Sequence, residues 1–334
     1  MCEWFSVGCA GVMLLSVIAW ILNVVHKGQL RALILPDGSP SIDEFVTRSM
    51  LMMARTCATL CQRIYDRAEN VPTHLQVDGW KFDELITSPG LSAVCGVVYR
   101  DDGPAPSAIV VWRGTNLSNR VQVRANRGVD LVSCKLTIPG KLASPFTTKA
   151  TLPGLVHQGV AEQFESIQWR VMLVILRHLR AGRKVYVTGH SQGGALAALT
   201  VAMMRACAIE HKNSDVCAAG LITFGSMRPG DAEFCKFAAG SIQYDPASGE
   251  FGVQRYRNNN DIVPLVPLLS QGYAHCGEEL YVWPCSVVTR CPSWPLKLIQ
   301  HAKPYTEGII GDGLADHSIN EYARHLQAIR IPEA

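Results

Sequence analysis

The 334-residue chain lacks an excess of either charge: 31 Lys and Arg stand against 28 Asp and Glu, a formal net charge of +3. Such balance gives no electrostatic ground for a nucleic-acid partner, which demands a basic face. Internal repeats and low-complexity tracts are also missing, and 48% of residues are apolar, so a substantial core is expected and wholesale disorder is not. The 12 cysteines lack the paired close spacing of a zinc site, even at Cys276, Cys285 and Cys291. No metal and no cofactor is therefore expected. Cys57 and Cys61, one helical turn apart, read as part of a core face, and a Cys285–Cys291 bridge is expected only if the domain is lumenal.

Charge is absent altogether from Trp4 to Val25, "WFSVGCAGVMLLSVIAWILNVV". A helix of that length spans roughly 33 Å, enough to cross a hydrocarbon layer. A cleaved signal peptide wants basic residues before the apolar run, and here only Glu3 is charged there. A buried globular helix is the third reading. The favoured one is a single-pass transmembrane anchor over 4–25, a linker over 26–40 and one globular domain over 41–330. Lys27 and Arg31 follow the span and nothing basic precedes it, which favours a cytosolic domain over a secreted or lumenal one.

Within the domain, Ser41 to Ala68 reads as a helix with Ile42, Phe45, Val46, Ser49, Met53 and Thr56 along one stripe. Ser92–Tyr99 and Ser107–Trp112 flank "RDDGPAP", a hairpin signal, and "GVDLVSCKLTI" is a further strand candidate. Val160, Phe164, Ile167, Val171, Val174 and Leu179 recur at helical spacing. Strand Lys184–Thr188, helix Gln192–Ala208, strand Gly220–Phe224, helix Asp231–Ala238 and strand Val253–Arg257 follow, then a last helix near His317. Alternating strands and helices predict an α/β fold with a mainly parallel sheet flanked by helices, and an antiparallel portion at one edge.

"KVYVTGHSQGGALAALTVAM" puts Ser191 at the corner between strand and helix. A tight turn there forces the serine into a sparsely populated backbone conformation, and Gly189 and Gly193 remove side chains that would collide. The Gln192 N–H, at the helix N-terminus, is placed to meet developing negative charge. A serine hydroxyl needs a base, and the base an orienting acid. Asp261 in "RYRNNNDIVPLVP" and His317 in "ADHSINEYARHL" are the candidates, with Asp316 read as a cap or near-cap of the last helix. His301 and His275 compete as bases. His190 adjoins the serine but should point elsewhere, and a structural role suits all three better.

These blocks, with "IVVWRGT", "VHQGV", "ITFGSMRPGDAEF" and "GYAHCGEELYV", resemble in order those of the class 3 lipases, the fungal-lipase-like branch of the α/β-hydrolases. The resemblance runs over most of Ile109 to Tyr322. It implies an α/β-hydrolase fold and a lipase or esterase acting on lipid esters through an acyl-enzyme. Ser191 would be the nucleophile, His317 the general base and later acid, and Asp261 the residue orienting the imidazole. Thr115 would join the Gln192 N–H in an oxyanion hole, and His275 would match a position that is not catalytic. Where the family carries an apolar lid, this chain reads "NLSNRVQVRANRGVD", rich in arginine, which argues for anionic or more water-soluble esters over bulk triglyceride. A glycan on the Asn116 sequon would obstruct the site. A lipase-fold protein that only binds or signals, and thioesterase or peptidase chemistry on the same triad, are the alternatives.

Overall fold

β-Branched and aromatic runs bounded by Gly, Pro and Asp set the strands. They are β1 Lys81–Thr87, β2 Val94–Arg100, β3 Ser107–Trp112, β4 Lys184–His190, β5 Gly220–Phe224, β6 Glu250–Asn258, β7 Glu279–Trp283 and β8 Val287–Arg290. The helices are α1 Arg48–Arg63, α2 Val71–His74, α3 Gln158–Arg180, α4 Gln192–His211, α5 Ala232–Ala239, α6 Asp312–Ala315 and α7 Ile319–Ala328. The structure, a computed structural model, describes residues 46–89, 92–103, 105–115, 130–140, 147–240, 242, 244–245, 247–284, 286–290 and 312–329. The anchor expected over 4–25, the linker, the arginine-rich segment 116–129, His301 and the Cys285–Cys291 pair lie outside the described residues.

Among the described residues, nine strands form one sheet: β1 to β8 in sequence order, with Tyr244–Asp245 paired to β6. Strands β3 to β7 run parallel. Antiparallel pairing closes both edges, β1 and β2 on one side and β8 on the other, where only one such edge was expected. The "GVDLVSCKLTI" segment holds two short strands rather than one: Leu131–Val132 pairs with Val156–His157, and Lys135–Pro139 with Thr147–Thr151.

The two-residue alternation of β3 shows how the sheet builds its core. Ala108, Val110 and Trp112 join the cluster under α3, α4 and α5, while Ile109 and Val111 join that under α1 and α7. Trp112 Nε1 donates to Thr200 Oγ1 at 2.8 Å, tying β3 to α4. Helix α4 is long and apolar enough to cross a membrane, yet it lies buried in the centre of the domain. Its small residues let it press against the sheet.

Helix α1 differs from expectation in its buried face. Thr47 caps it, accepting from the Met50 N–H at 3.2 Å, and the buried residues are Met50, Leu51, Met53, Ala54, Cys57, Ala58, Leu60 and Cys61. Ser49 is exposed and Thr56 half-buried, so the apolar stripe is rotated toward Cys57 and Cys61. Those two cysteines do face the core, with Cys61 Sγ 3.5 Å from Thr188 Oγ1 on β4.

Candidate active site

Strand β4 ends at His190 and helix α4 begins at Gln192, leaving Ser191 to make the corner alone. It does so at φ 60° and ψ −130°, a conformation that costs a side-chain-bearing residue about 1–3 kcal/mol. Its N–H donates to the Phe224 carbonyl at 2.9 Å, which fixes the corner to β5. A Cβ at Gly189 would collide with the Gly193 carbonyl, and one at Gly193 with the Trp112 carbonyl. Both positions therefore admit only glycine.

His317 bridges serine and acid. Its Nε2 lies 2.9 Å from Ser191 Oγ, and its Nδ1 lies 3.0 and 2.9 Å from Asp261 Oδ1 and Oδ2. A carboxylate can only accept, so Nδ1 carries the proton and Nε2 is the acceptor for the serine hydroxyl. Asp261 is fully buried. Its Oδ1 also accepts from the Val263 N–H at 2.9 Å, and its Oδ2 from the Tyr322 hydroxyl at 2.5 Å. Gly225 makes room for this cluster: at φ +53°, a Cβ there would stand 2.6 Å from Asp261 Oδ2 and 3.0 Å from His317 Nδ1.

Asp316 does not cap α7, as the sequence had implied; Ser318 does, accepting from the Asn320 N–H. The Asp316 carboxylate instead accepts from Asn259 Nδ2 at 2.7 Å and the Asn260 N–H at 3.1 Å. Its carbonyl accepts from Asn258 Nδ2 at 3.0 Å. The turn carrying the acid and the turn carrying the imidazole are thus stitched together.

His190 makes its contacts with His317 and Tyr65 rather than with the serine hydroxyl. Its ring stacks on that of His317, with centroids 4.6 Å apart. Nε2–H donates to the His317 carbonyl at 2.7 Å, so Nδ1 accepts from the Tyr65 hydroxyl at 3.0 Å. Burial, followed by the nearness of His317, pushes its pKa down to about 3. The ring therefore stays neutral when its neighbour is charged. His275 does not reach the triad; it donates from Nε2 to the Pro264 carbonyl at 2.7 Å, and burial lowers its pKa to about 3 as well.

Thr115 Oγ1 donates to Gln192 Oε1 at 3.2 Å, which holds the two residues together beside Ser191. All three line a cavity of about 640 Å³. Its remaining wall is mostly apolar, with Met227, Val263, Val266, Leu268 and Leu314, and the last three are exposed at its rim. Among the described residues no His, Cys, Asp and Glu cluster is arranged to hold a metal ion.

Sequence reasoning passed over Tyr322, Tyr65, Gly225 and His157. Tyr322 stood inside the "DHSINEY" block, and its place on the buried face of α7 was the available signal. Tyr65 reaches His190 across 125 positions of chain, and no local pattern announces that.

Residues 109–271 match the family model for lipase (class 3). A lipase of Rhizomucor miehei is 29% identical over 134 residues, 38% of this chain and 32% of the relative. Secreted mono- and diacylglycerol lipase 2 of Gibberella zeae is 26% identical over 238 residues, 65% of this chain and 55% of the relative. The chain thus spans little more than half the length of the curated relatives it matches, or less. Lipase II from Rhizopus niveus has a similar structure, with a TM-score of 0.54 and 23% identity over 74% of this chain and 86% of that one. The sheet order, its flanking helices and that structural likeness make the fold an α/β-hydrolase fold, and the lipase (class 3) family model matches the part of it from 109 to 271, which carries Ser191 and Asp261.

Proposed function

We propose that this protein is a serine hydrolase that cleaves carboxylic esters of lipids through an acyl-enzyme. The observation that carries the reading is the single imidazole, His317, bonded at one nitrogen to Ser191 Oγ and at the other to buried Asp261. Ser191 Oγ attacks the ester carbonyl carbon while His317 Nε2 takes its proton. The tetrahedral oxyanion is met by the Gln192 N–H and by Thr115, each donor typically worth about 3 kcal/mol. On collapse the carbon–oxygen bond to the leaving alcohol breaks, and the imidazolium returns its proton to that oxygen. A water then attacks the acyl-serine, again giving its proton to His317, and the carboxylic acid departs.

The apolar cavity wall and exposed Val266, Leu268 and Leu314 support a lipid over a small polar ester. The Gibberella zeae relative's name, a mono- and diacylglycerol lipase, agrees with that class. The test is a panel of emulsified acylglycerols, micellar phospholipid and short-chain esters given to wild type and Ser191→Ala. At least one lipid ester should be hydrolysed, with kcat about 10³-fold or more lower in the variant. Equal rates in both proteins would contradict the assignment.

The domain over 41–330 is taken to be held at a membrane by residues 4–25 through the linker 26–40, on the cytosolic face. The charge-free run of the span supports this. Release of the full-length protein from membranes by alkaline carbonate would contradict it, and a protein recovered from culture medium would favour the secreted alternative.

A further inference from the structure

His157 is an unpaired polar group in the wall of the catalytic cavity. Its side chain is wholly buried, yet neither ring nitrogen has a hydrogen-bond partner. Burying an imidazole without partners is costly, and the surface of the cavity it lines is largely apolar. Burial also lowers its pKa, so the ring is neutral, with one nitrogen a donor and the other an acceptor. The backbone holds it in place. Val156–His157 pairs with Leu131–Val132, the His157 N–H donates to the Pro229 carbonyl at 2.9 Å, and Gln158 opens the long helix α3. The ring lies beside that of Tyr273, tilted, with centroids 5.9 Å apart.

The chemistry of the group that completes this site follows from its two faces. A carboxylate or phosphate would bring a buried charge to a neutral ring, and an ammonium would bring one too, with a single neutral acceptor to offset its desolvation. A hydroxyl suits either nitrogen, accepting from one or donating to the other, and costs little to desolvate beside apolar walls. Resting on the function proposed above, we propose that His157 is a specificity-determining residue that recognises a free hydroxyl on the ester substrate. That hydroxyl is borne either by the glycerol of a partial glyceride or by the acyl chain.

Two matched pairs separate these sources. A diacylglycerol is compared with the propanediol diester that lacks only the free hydroxyl, and a hydroxylated fatty-acid methyl ester with its unhydroxylated counterpart. The quantity read is the kcat/KM ratio within each pair for wild type, His157→Phe and His157→Gln. Because both members of a pair meet the same enzyme, a lower folded fraction leaves the ratio unchanged. Wild type should prefer the hydroxylated member of one pair by about tenfold or more, and that pair names the source. His157→Phe should bring the ratio to about one, and His157→Gln, whose amide both donates and accepts, should restore much of it. A wild type that hydrolyses both pairs without preference, or a preference that survives in His157→Phe, overturns the inference while leaving the hydrolase reading intact. A wild type that hydrolyses no ester at all contradicts both.

Discussion

At the scale of single residues, the site is a chain of groups each of which has one chemical option. Buried Asp261 can only accept, His317 can only present Nε2 to the serine once Nδ1 is engaged, and Tyr322 can only donate to the carboxylate. Burial, followed by the charge on Asp261, raises the Tyr322 pKa, so the phenol keeps its proton. It also accepts from the Asn258 N–H at 2.9 Å. Tyr322→Phe strips one partner from a buried N–H and one from the carboxylate. We expect about 1–3 kcal/mol less stability in urea unfolding and a kcat on a short-chain ester lower by about tenfold, since the acid loses one of the bonds that orient it while keeping the Val263 N–H and His317. A kcat equal to wild type would show that the phenol has no part in orienting Asp261.

At the scale of elements, two buried histidines tie neighbouring turns and segments together. His190, ending β4, holds the turn before α7 through the His317 carbonyl and the segment after α1 through Tyr65. His275 holds the 263–265 turn through the Pro264 carbonyl. Both have pKa values pushed to about 3 from an ordinary 6.5. Between those limits the unfolded chain binds protons that the folded one refuses. Stability is therefore full above pH 6.5 and falls as the pH drops toward 3. From pH 7 to pH 5 the loss should be on the order of 2 kcal/mol for each histidine, read as a falling urea midpoint. A midpoint that is flat across that interval would mean that these rings are not held neutral.

What the sequence made legible at this scale divides along physical lines. The elements around Ser191 were legible because strand, glycine-flanked corner and small-residue helix are all local signals. Strand Gly220–Phe224 was legible as a short apolar run between turns. Strand β1 was not, because "KFDELIT" mixes charged residues with apolar ones and is buried mainly at Ile86. The stripe on α1 was misplaced because its buried face carries cysteine, alanine and methionine, whose weak amphipathic signal the sheet contacts decide. Asp316 was read as a cap from its position, whereas its partners lie on a turn 56 and 57 positions away. Contacts of that reach leave no mark in local pattern, and the link from His190 to Tyr65 is of the same kind.

For the whole molecule, the parallel strands β3 to β7 bring the corner at Ser191 and the turn at Asp261 to the same end of the sheet, beyond the carboxyl ends of β4 and β6. A core packs on either face of the sheet, and the apolar cavity lies at that end, lined by Ser191 and His317. The proposed function therefore depends on distant stretches of chain meeting at one hydroxyl. The most direct test of that claim is the rate at which a fluorophosphonate modifies Ser191, followed by intact-protein mass spectrometry in wild type and His317→Ala. The expected result is one adduct, on Ser191, formed about 10³-fold or more slowly in the variant. Folded wild type that takes up no label, or labelling at the same rate without the imidazole, would contradict the account.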